Sequence, residues 1–222
     1  MMAKTKKKLT IVRTHPRKVK PSTKNPGGVT IVDQHPRRLS GTDLDEKEIY
    51  KIVNGYSLKK LKYPKPDSLD YKNGNKYDEL IAIWTDYFNR LFKIDPPIDP
   101  DMIKALIASE SSFNPNADNG IGYGLLQITK QSLKILQDAN GEVKDFIFTS
   151  IRQKDLKNPD IAIPMGIRWL ARKQQTAANK LGRRPTFDEL AMEYKGLLKS
   201  KTSYQSQSFK NYKGHYERLK KK

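Results

Sequence analysis

One stretch of the sequence, residues 101–128, restricts the fold more than any other part of the chain. It reads DMIKALIASESSFNPNADNGIGYGLLQI. The preceding Asp99 suits a helix N-cap, and Pro100 suits the first helical turn, where a missing N–H costs nothing. Asn114-Pro115 should end the helix, because the residue before a proline avoids helical dihedral angles. The sequence therefore predicts a helix that leads into a glycine-rich turn.

The predicted helix carries a carboxylate on its apolar face. Side chains at positions i, i+3, i+4 and i+7 lie on one side of a helix. Here these side chains are Ile103, Leu106, Ile107 and Glu110. A carboxylate in apolar surroundings is desolvated, which favours the protonated form that a general acid needs near neutral pH. Two alternatives stay open: a buried glutamate paired with an arginine or lysine, and a helix end that exposes the side chain.

The residues around Glu110 also form a family signature. Glu110-Ser111, Phe113-Asn114-Pro115 and Gly124-Leu125-Leu126-Gln127-Ile128 together resemble the signature of the soluble lytic transglycosylases. These enzymes are relatives of goose-type lysozyme and cleave the glycan strands of peptidoglycan. The resemblance covers about residues 77–216. It implies an all-α, lysozyme-like domain over residues 76–222, preceded by a basic, partly disordered arm over residues 1–75.

The resemblance implies chemistry with one catalytic glutamate and no cofactor. As an acid, Glu110 would protonate the β-1,4 oxygen between N-acetylmuramic acid and N-acetylglucosamine. As a base, it would then take a proton from the 6-hydroxyl of the muramic sugar, which closes a 1,6-anhydro ring without water. Most other glycosidases use two carboxylates. A hydrolytic muramidase of the goose type is the alternative; it would need a second carboxylate to hold water, for which Asp118 and Glu193 are the candidates.

Several residues match or replace positions that face the substrate in this family. Gln127 and Tyr194 match its glutamine and its tyrosine, whose hydroxyl reaches the catalytic carboxylate. Asn119 stands where a serine is usual, and Lys195 stands where an asparagine is usual. Lys195 would meet a sugar N-acetyl carbonyl or a stem-peptide carboxylate, or it is a surface charge. The expected substrate contacts are Ser111, Asn119, Tyr123, Gln127, Tyr194 and Lys195.

The net charge of +19 is concentrated at the two ends of the chain. Residues 1–40 hold eleven Lys or Arg and one acidic residue, and residues 195–222 hold nine and one. Basic ends suit a polyanion, such as wall polymers, anionic stem peptides, membrane headgroups or nucleic acid. The absence of a nucleic-acid reading motif argues against nucleic acid. A solvated tail is the alternative, and a non-catalytic wall- or polyanion-binding module is the competing hypothesis for the whole chain.

A short unit is repeated within residues 9–39. LTIV at 9–12 and HPRKV at 15–19 are echoed, 20 residues later, by VTIV at 29–32 and HPRRL at 35–39. Each copy predicts an extended segment followed by a basic turn. The repeat is either a docking segment for a delivery apparatus, structural partner or polyanion, with two copies adding avidity, or a linker without a role in the chemistry.

The remaining sequence predicts further helices. Amphipathic patterns mark residues 77–91, 130–138 and 163–181, and Gly182 would stop the last of these. Thr186 begins a capping box for the next helix. Residues 41–75 are interpreted as a bridge with a short helix and a linker rich in turn residues, and residues 141–156 as an insertion with one more helix. Trp84 and Tyr87 are either sugar platforms or core residues.

Composition and the N-terminal sequence bear on metals and on location. The chain has no cysteine and three scattered histidines, so no metal site is expected. Its first residues lack the apolar stretch of a secretory signal, and no segment approaches the roughly 20 apolar residues of a membrane span. Because the implied substrate lies outside the cytoplasm, we expect a protein made there and delivered to the wall or periplasm by phage lysis, a phage tail or a secretion apparatus. An inhibitor or immunity protein would be a further partner.

Overall fold

A computed structural model describes residues 10–12, 15–18, 21, 23, 27, 29–32, 35–37, 42–141, 143, 145–200 and 202–221. Over these residues the chain is mainly helical, as predicted. The α-helices are α1 (Glu46–Gly55), α2 (Asp78–Phe92), α3 (Pro100–Ser111), α4 (Lys130–Gln137), α5 (Pro159–Leu181), α6 (Phe187–Tyr194) and α7 (Gln207–Lys220). Short 3₁₀ helices occupy Gln153–Lys157 and Ser203–Gln205. No helix within the described ranges is long and apolar enough to cross a bilayer.

The strands are short and pair two by two. They are β1 (Thr10–Val12), β2 (His15–Lys18), β3 (Val29–Val32), β4 (His35–Arg37), β5 (Thr42–Asp43), β6 (Gly122–Tyr123), β7 (Ile128–Thr129) and β8 (Phe146–Ile147). β1 pairs with β4, β2 with β3 and β6 with β7, all antiparallel, whereas β5 and β8 are parallel.

Local sequence signals set the ends of several helices, as predicted for Thr186 and Gly182. The Thr129 side chain accepts a hydrogen bond from the Ser132 N–H at the start of α4. Thr186 and Glu189 form the predicted capping box of α6. Gly182 ends α5 in the left-handed conformation, with a φ of 67°. Trp84 and Tyr87 of α2 are fully buried, so they belong to the core.

Residues 42–75 contribute to the same apolar core as the rest of the body. Leu44, Ile49, Ile52 and Leu69 are buried in one cluster with the helices that follow. The expected linker folds back onto α3 and α7, through contacts of Lys65, Asp67 and Asn75. The division of the chain at residue 75 stays a prediction, and it does not coincide with a gap in the core.

The prediction of a helix within residues 141–156 is wrong. Phe146–Ile147 form strand β8, and a 3₁₀ helix follows it. A short apolar run does not distinguish a strand from a helix by its periodicity. Its strand partner, β5, lies about 100 residues earlier in the chain, where the sequence offers no local sign of the pairing.

The repeat forms strands along both of its parts. The TIV segment of each copy is extended, as predicted, but the HPR segments are strands rather than basic turns. Each HPR segment pairs with the TIV segment of the other copy, with Thr10 opposite Arg37 and Arg17 opposite Thr30. This pairing gives both segments backbone partners, which is why no turn forms there. The other residues of the repeat, and the expected disorder of the arm, lie outside the described residues.

Candidate active site

Helix α3 places Glu110 near its C-terminal end. Asp99 caps the helix by accepting a hydrogen bond from the Asp101 N–H, and Pro100 occupies the first turn. The predicted apolar face is buried, since Ile103, Leu106 and Ile107 have no exposed surface. The helix ends at Ser111, earlier than the Asn114-Pro115 step predicted. The cause is Ser112, whose left-handed φ of 52° breaks the helix three residues before Pro115.

The carboxylate of Glu110 is ion-paired with a lysine from the end of α6. The Lys195 ammonium donates hydrogen bonds to Glu110 Oε1 and, over 3.1 Å, to Ser109 Oγ. The Lys195 side chain is 3% exposed and the Glu110 side chain 18% exposed. Of the two alternatives considered for Glu110, a paired glutamate and an exposed helix end, the structure agrees with the paired glutamate, and the partner is a lysine. Lys195 is a buried site residue, so the surface-charge interpretation of Lys195 is wrong.

The loop that follows α3 is held by side chains that were expected to bind substrate. Asn119 Oδ1 accepts from the N–H groups of Ile121 and Gly122. The Gln127 amide donates to the carbonyls of Ala117 and Gly124, over 3.2 and 2.9 Å. Both residues therefore shape the loop and the hairpin β6–β7, which are also joined by a hydrogen bond from the Gly124 N–H to the Ala117 carbonyl.

Gly124 is required by the packing of this hairpin. Its φ is 71°, and a Cβ atom there would lie 2.0 Å from the Leu156 carbonyl oxygen. Only glycine adopts this conformation without a clash. The close approach joins the hairpin to the 3₁₀ helix before α5.

The two tyrosines and Ser111 differ in how they relate to Glu110. Tyr194 donates a 2.7 Å hydrogen bond to the Leu126 carbonyl. Burial, and secondly the nearby charge of Glu110, raise the pKa of Tyr194 well above its ordinary range, so its hydroxyl stays protonated. Tyr123 is buried and donates to the Gly120 carbonyl, and Ser111 donates to the Ile107 carbonyl of its own helix. Tyr194 is thus near enough for the charge of Glu110 to affect it, but its hydroxyl, like those of Tyr123 and Ser111, donates to a backbone carbonyl.

The two candidate second carboxylates are engaged elsewhere. Glu193 is 2% exposed and receives the ammonium groups of Lys173 and Lys180, at 3.3 and 2.8 Å. Asp118 is exposed, and its Oδ1 accepts from the Gly120 N–H in a tight turn. Within the described part of the chain, no hydrogen bond or ion pair joins either residue to Glu110.

A groove lies beside the Glu110–Lys195 pair. It has a volume of about 450 Å³ and is walled by parts of α4, α5 and the end of α6. We call it the basic groove, because its lining includes Arg172, Lys173 and Lys195 and none of its described lining residues is acidic. Trp169 forms an apolar wall, with the Lys173 ammonium 5.0 Å from its ring centre. A separate cavity of about 420 Å³ between α2 and α5 contains none of the predicted site residues.

Sequence reasoning missed three contributors to this site. Ser109 contacts Lys195, and Trp169 and Arg172 line the basic groove. Ser109 could have been suspected from its place directly before Glu110. The other two lie on α5, far along the chain, and only the packing of α5 against α6 brings them to the site.

Comparison with known protein families gives one match in this region. Residues 93–195 match the family model described as "Transglycosylase SLT domain". The match begins just before α3 and ends at Lys195, so it contains the Glu110–Lys195 pair and the hairpin between them. No curated protein matches the chain.

Proposed function

Because residues 93–195 match the family model of the transglycosylase SLT domain, we propose that the protein is a peptidoglycan lytic transglycosylase that uses Glu110 as its acid and its base. The observation that carries the proposal is the Glu110 carboxylate itself. It lies within the matched segment, is partly exposed, and is held by the last residue of that segment.

In the proposed reaction, Glu110 acts twice. It first gives a proton to the β-1,4 oxygen between N-acetylmuramic acid and N-acetylglucosamine, and the bond from that oxygen to the muramic C1 breaks. The carboxylate then takes the proton of the muramic 6-hydroxyl while O6 bonds to C1. The product is a 1,6-anhydro sugar, and no water is consumed.

Hydrolysis is the alternative outcome, and the geometry favours it less. A hydrolase of this type needs a second carboxylate to hold the attacking water. Glu193 is ion-paired with two lysines, and Asp118 accepts a hydrogen bond from a backbone N–H of its own turn. Neither is joined to Glu110 among the described residues, which supports cleavage without water.

Mass spectrometry of digested peptidoglycan tests this proposal. Wild type should release anhydro-muropeptides, and Glu110→Gln should lower the rate by about 10³-fold, within the 10²–10⁴ that general acid–base catalysis contributes. Glu217→Gln, at an exposed position outside the matched segment, is the matched control and should keep full activity. Products heavier by one water would make the enzyme a muramidase. No soluble product from wild type would leave a non-catalytic wall- or polyanion-binding module.

We propose further that the enzyme acts at the bacterial wall after delivery by phage lysis, a phage tail or a secretion apparatus. The proposed substrate, which lies outside the cytoplasm, supports this location. Cells that make the chain in the cytoplasm should keep growing, and cells that make it with an added export signal should lyse unless they carry Glu110→Gln. Lysis without the added signal would contradict the need for delivery. A docking role for residues 9–39 and an inhibitor protein stay predictions.

A further inference from the structure

The Glu110–Lys195 pair conflicts with the first step of the proposed reaction. A general acid must carry a proton, whereas an ammonium group in contact with a carboxylate stabilises its charged form. The proposed function, on which this inference rests, therefore requires something to draw the ammonium charge away from Glu110 when substrate binds.

Lys195 has a hydrogen-bond donor available for this purpose. A lysine ammonium has three N–H donors. Two of them have acceptors among the described residues, Ser109 Oγ and Glu110 Oε1. The side chain is 3% exposed and Lys195 lines the basic groove, so the groove is the direction from which a third acceptor can approach.

The charges around the groove favour an anion. Three ammonium groups, those of Lys173, Lys180 and Lys195, are accompanied by two carboxylates, Glu110 and Glu193. Both carboxylates already have ammonium partners, and Glu193 has two. An incoming carboxylate would therefore meet an excess of positive charge next to an apolar wall, Trp169, that excludes part of the water.

We propose that Lys195 is a specificity-determining residue that binds a carboxylate of the substrate in the basic groove. The ligand class is a muramyl glycan whose lactyl or stem-peptide carboxylate is ionised; a neutral glycan of the same sugars lacks the required group. The substrate carboxylate accepts a hydrogen bond from the third N–H of Lys195, so that the ammonium group is shared between this carboxylate and Glu110. Because Lys195 also contacts Glu110, this binding places the anionic substituent of the substrate next to the reacting carboxylate.

Binding measurements test this proposal without relying on cleavage. The probe is a purified disaccharide-peptide muropeptide, compared with the same molecule after its carboxylates are converted to amides. The full-length wild type should bind the carboxylate form about 10- to 100-fold more tightly, the range for a hydrogen bond to a charged group. Lys195→Asn should reduce that preference to less than about threefold, and Lys195→Arg, which keeps the charge, should retain most of it.

A matched control removes the same charge from outside the groove. Lys134→Asn, at an exposed position on α4, should keep the wild-type preference. Circular dichroism of each variant separates a lost preference from a lost fold. A wild type that does not distinguish the two ligands, or a folded Lys195→Asn that still does, would overturn the proposal. Failure of wild type to cleave glycan strands would overturn the proposed function instead, because the binding ratio is measured independently of turnover.

Discussion

The two ends of α3 are built in opposite ways. At the N-terminal end and in the first turns, Asp99, Asp101 and Lys104 are nearly or fully buried and each has several polar partners. At the C-terminal end, Glu110 is partly exposed and has one cationic partner, Lys195. One helix therefore joins a buried network with many polar contacts to a carboxylate that retains access to solvent.

The network at the N-terminal end centres on Lys104. This lysine has no exposed surface, and its ammonium donates to Asp78 Oδ2, Asn75 Oδ1 and the Lys65 carbonyl over 2.9, 2.6 and 2.8 Å. All three donors are thus used, whereas Lys195 has one left. The difference teaches that the same residue type can anchor a helix or remain available to a ligand, according to the number of acceptors around it.

Removing Lys104 is expected to give the largest effect on stability. Lys104→Met leaves Asp78 buried without its counter-charge and should lower the free energy of unfolding by about 3–5 kcal/mol. Urea denaturation measures the change. Lys51→Met, whose partner Glu48 lies 3.4 Å away at the surface, is the control and should change it by less than about 1 kcal/mol. Equal effects of the two substitutions would remove the contrast between buried and exposed lysines.

Because of Asp99, the stabilisation that this network contributes to the folded state depends on pH. Burial raises the pKa of Asp99, but hydrogen bonds from the Lys220 and Lys62 ammonium groups outweigh this effect and hold the pKa below its usual range. Because the folded-state pKa is the lower one, the stabilisation is present above about pH 4 and is lost as the pH falls through the folded-state value.

Asp99→Asn isolates this contribution, since asparagine still caps a helix. The variant should lose about 2 kcal/mol near neutral pH, as expected for hydrogen bonds between charged groups, and the deficit should shrink below pH 4. Denaturation of both proteins from pH 7 to pH 2 measures it. A deficit that stays constant over this range would show that the Asp99 charge is not the stabilising element.

Substitution at the other end should have the smallest effect on stability. Glu110→Gln keeps an oxygen that accepts from Lys195 and should lower the free energy of unfolding by only about 1 kcal/mol. Thermal denaturation checks this value beside the activity of the same variant. A loss as large as that of Lys104→Met would mean that Glu110 anchors the helix as the N-terminal network does.

The sequence predicted what depends on neighbours along the chain. The Asp99 cap, the buried face of α3 and the capping box at Thr186 follow from residues within a few positions of each other, and the structure has all of them. The family resemblance is also confirmed, through the matched segment that contains Glu110. The roles of the site residues stay predictions until they are measured.

The contacts that the sequence did not reveal join distant segments. Lys195 was expected to contact substrate, but it lies 85 residues from Glu110, and no local pattern indicated that the two residues form an ion pair. The burial of Leu44, Ile49, Ile52 and Leu69 also depends on distant partners, and the turn-rich composition around Leu69 is equally typical of a linker. Tertiary packing determines the burial and the partners of these residues, and a local sequence pattern carries no information about that packing.

The extensive packing of α7 on α3 has a consequence for any effort to reduce this protein to a minimal catalytic unit. Of the described pairs of elements, α3 and α7 make the largest contact, and α7 lies wholly beyond the matched residues 93–195. Tyr216 and Lys220 of α7 both bind Asp99. A fragment limited to the matched residues would lack α7, against which the Glu110-bearing helix packs most extensively. A functional fragment therefore has to include α7 and the segment that begins near residue 42.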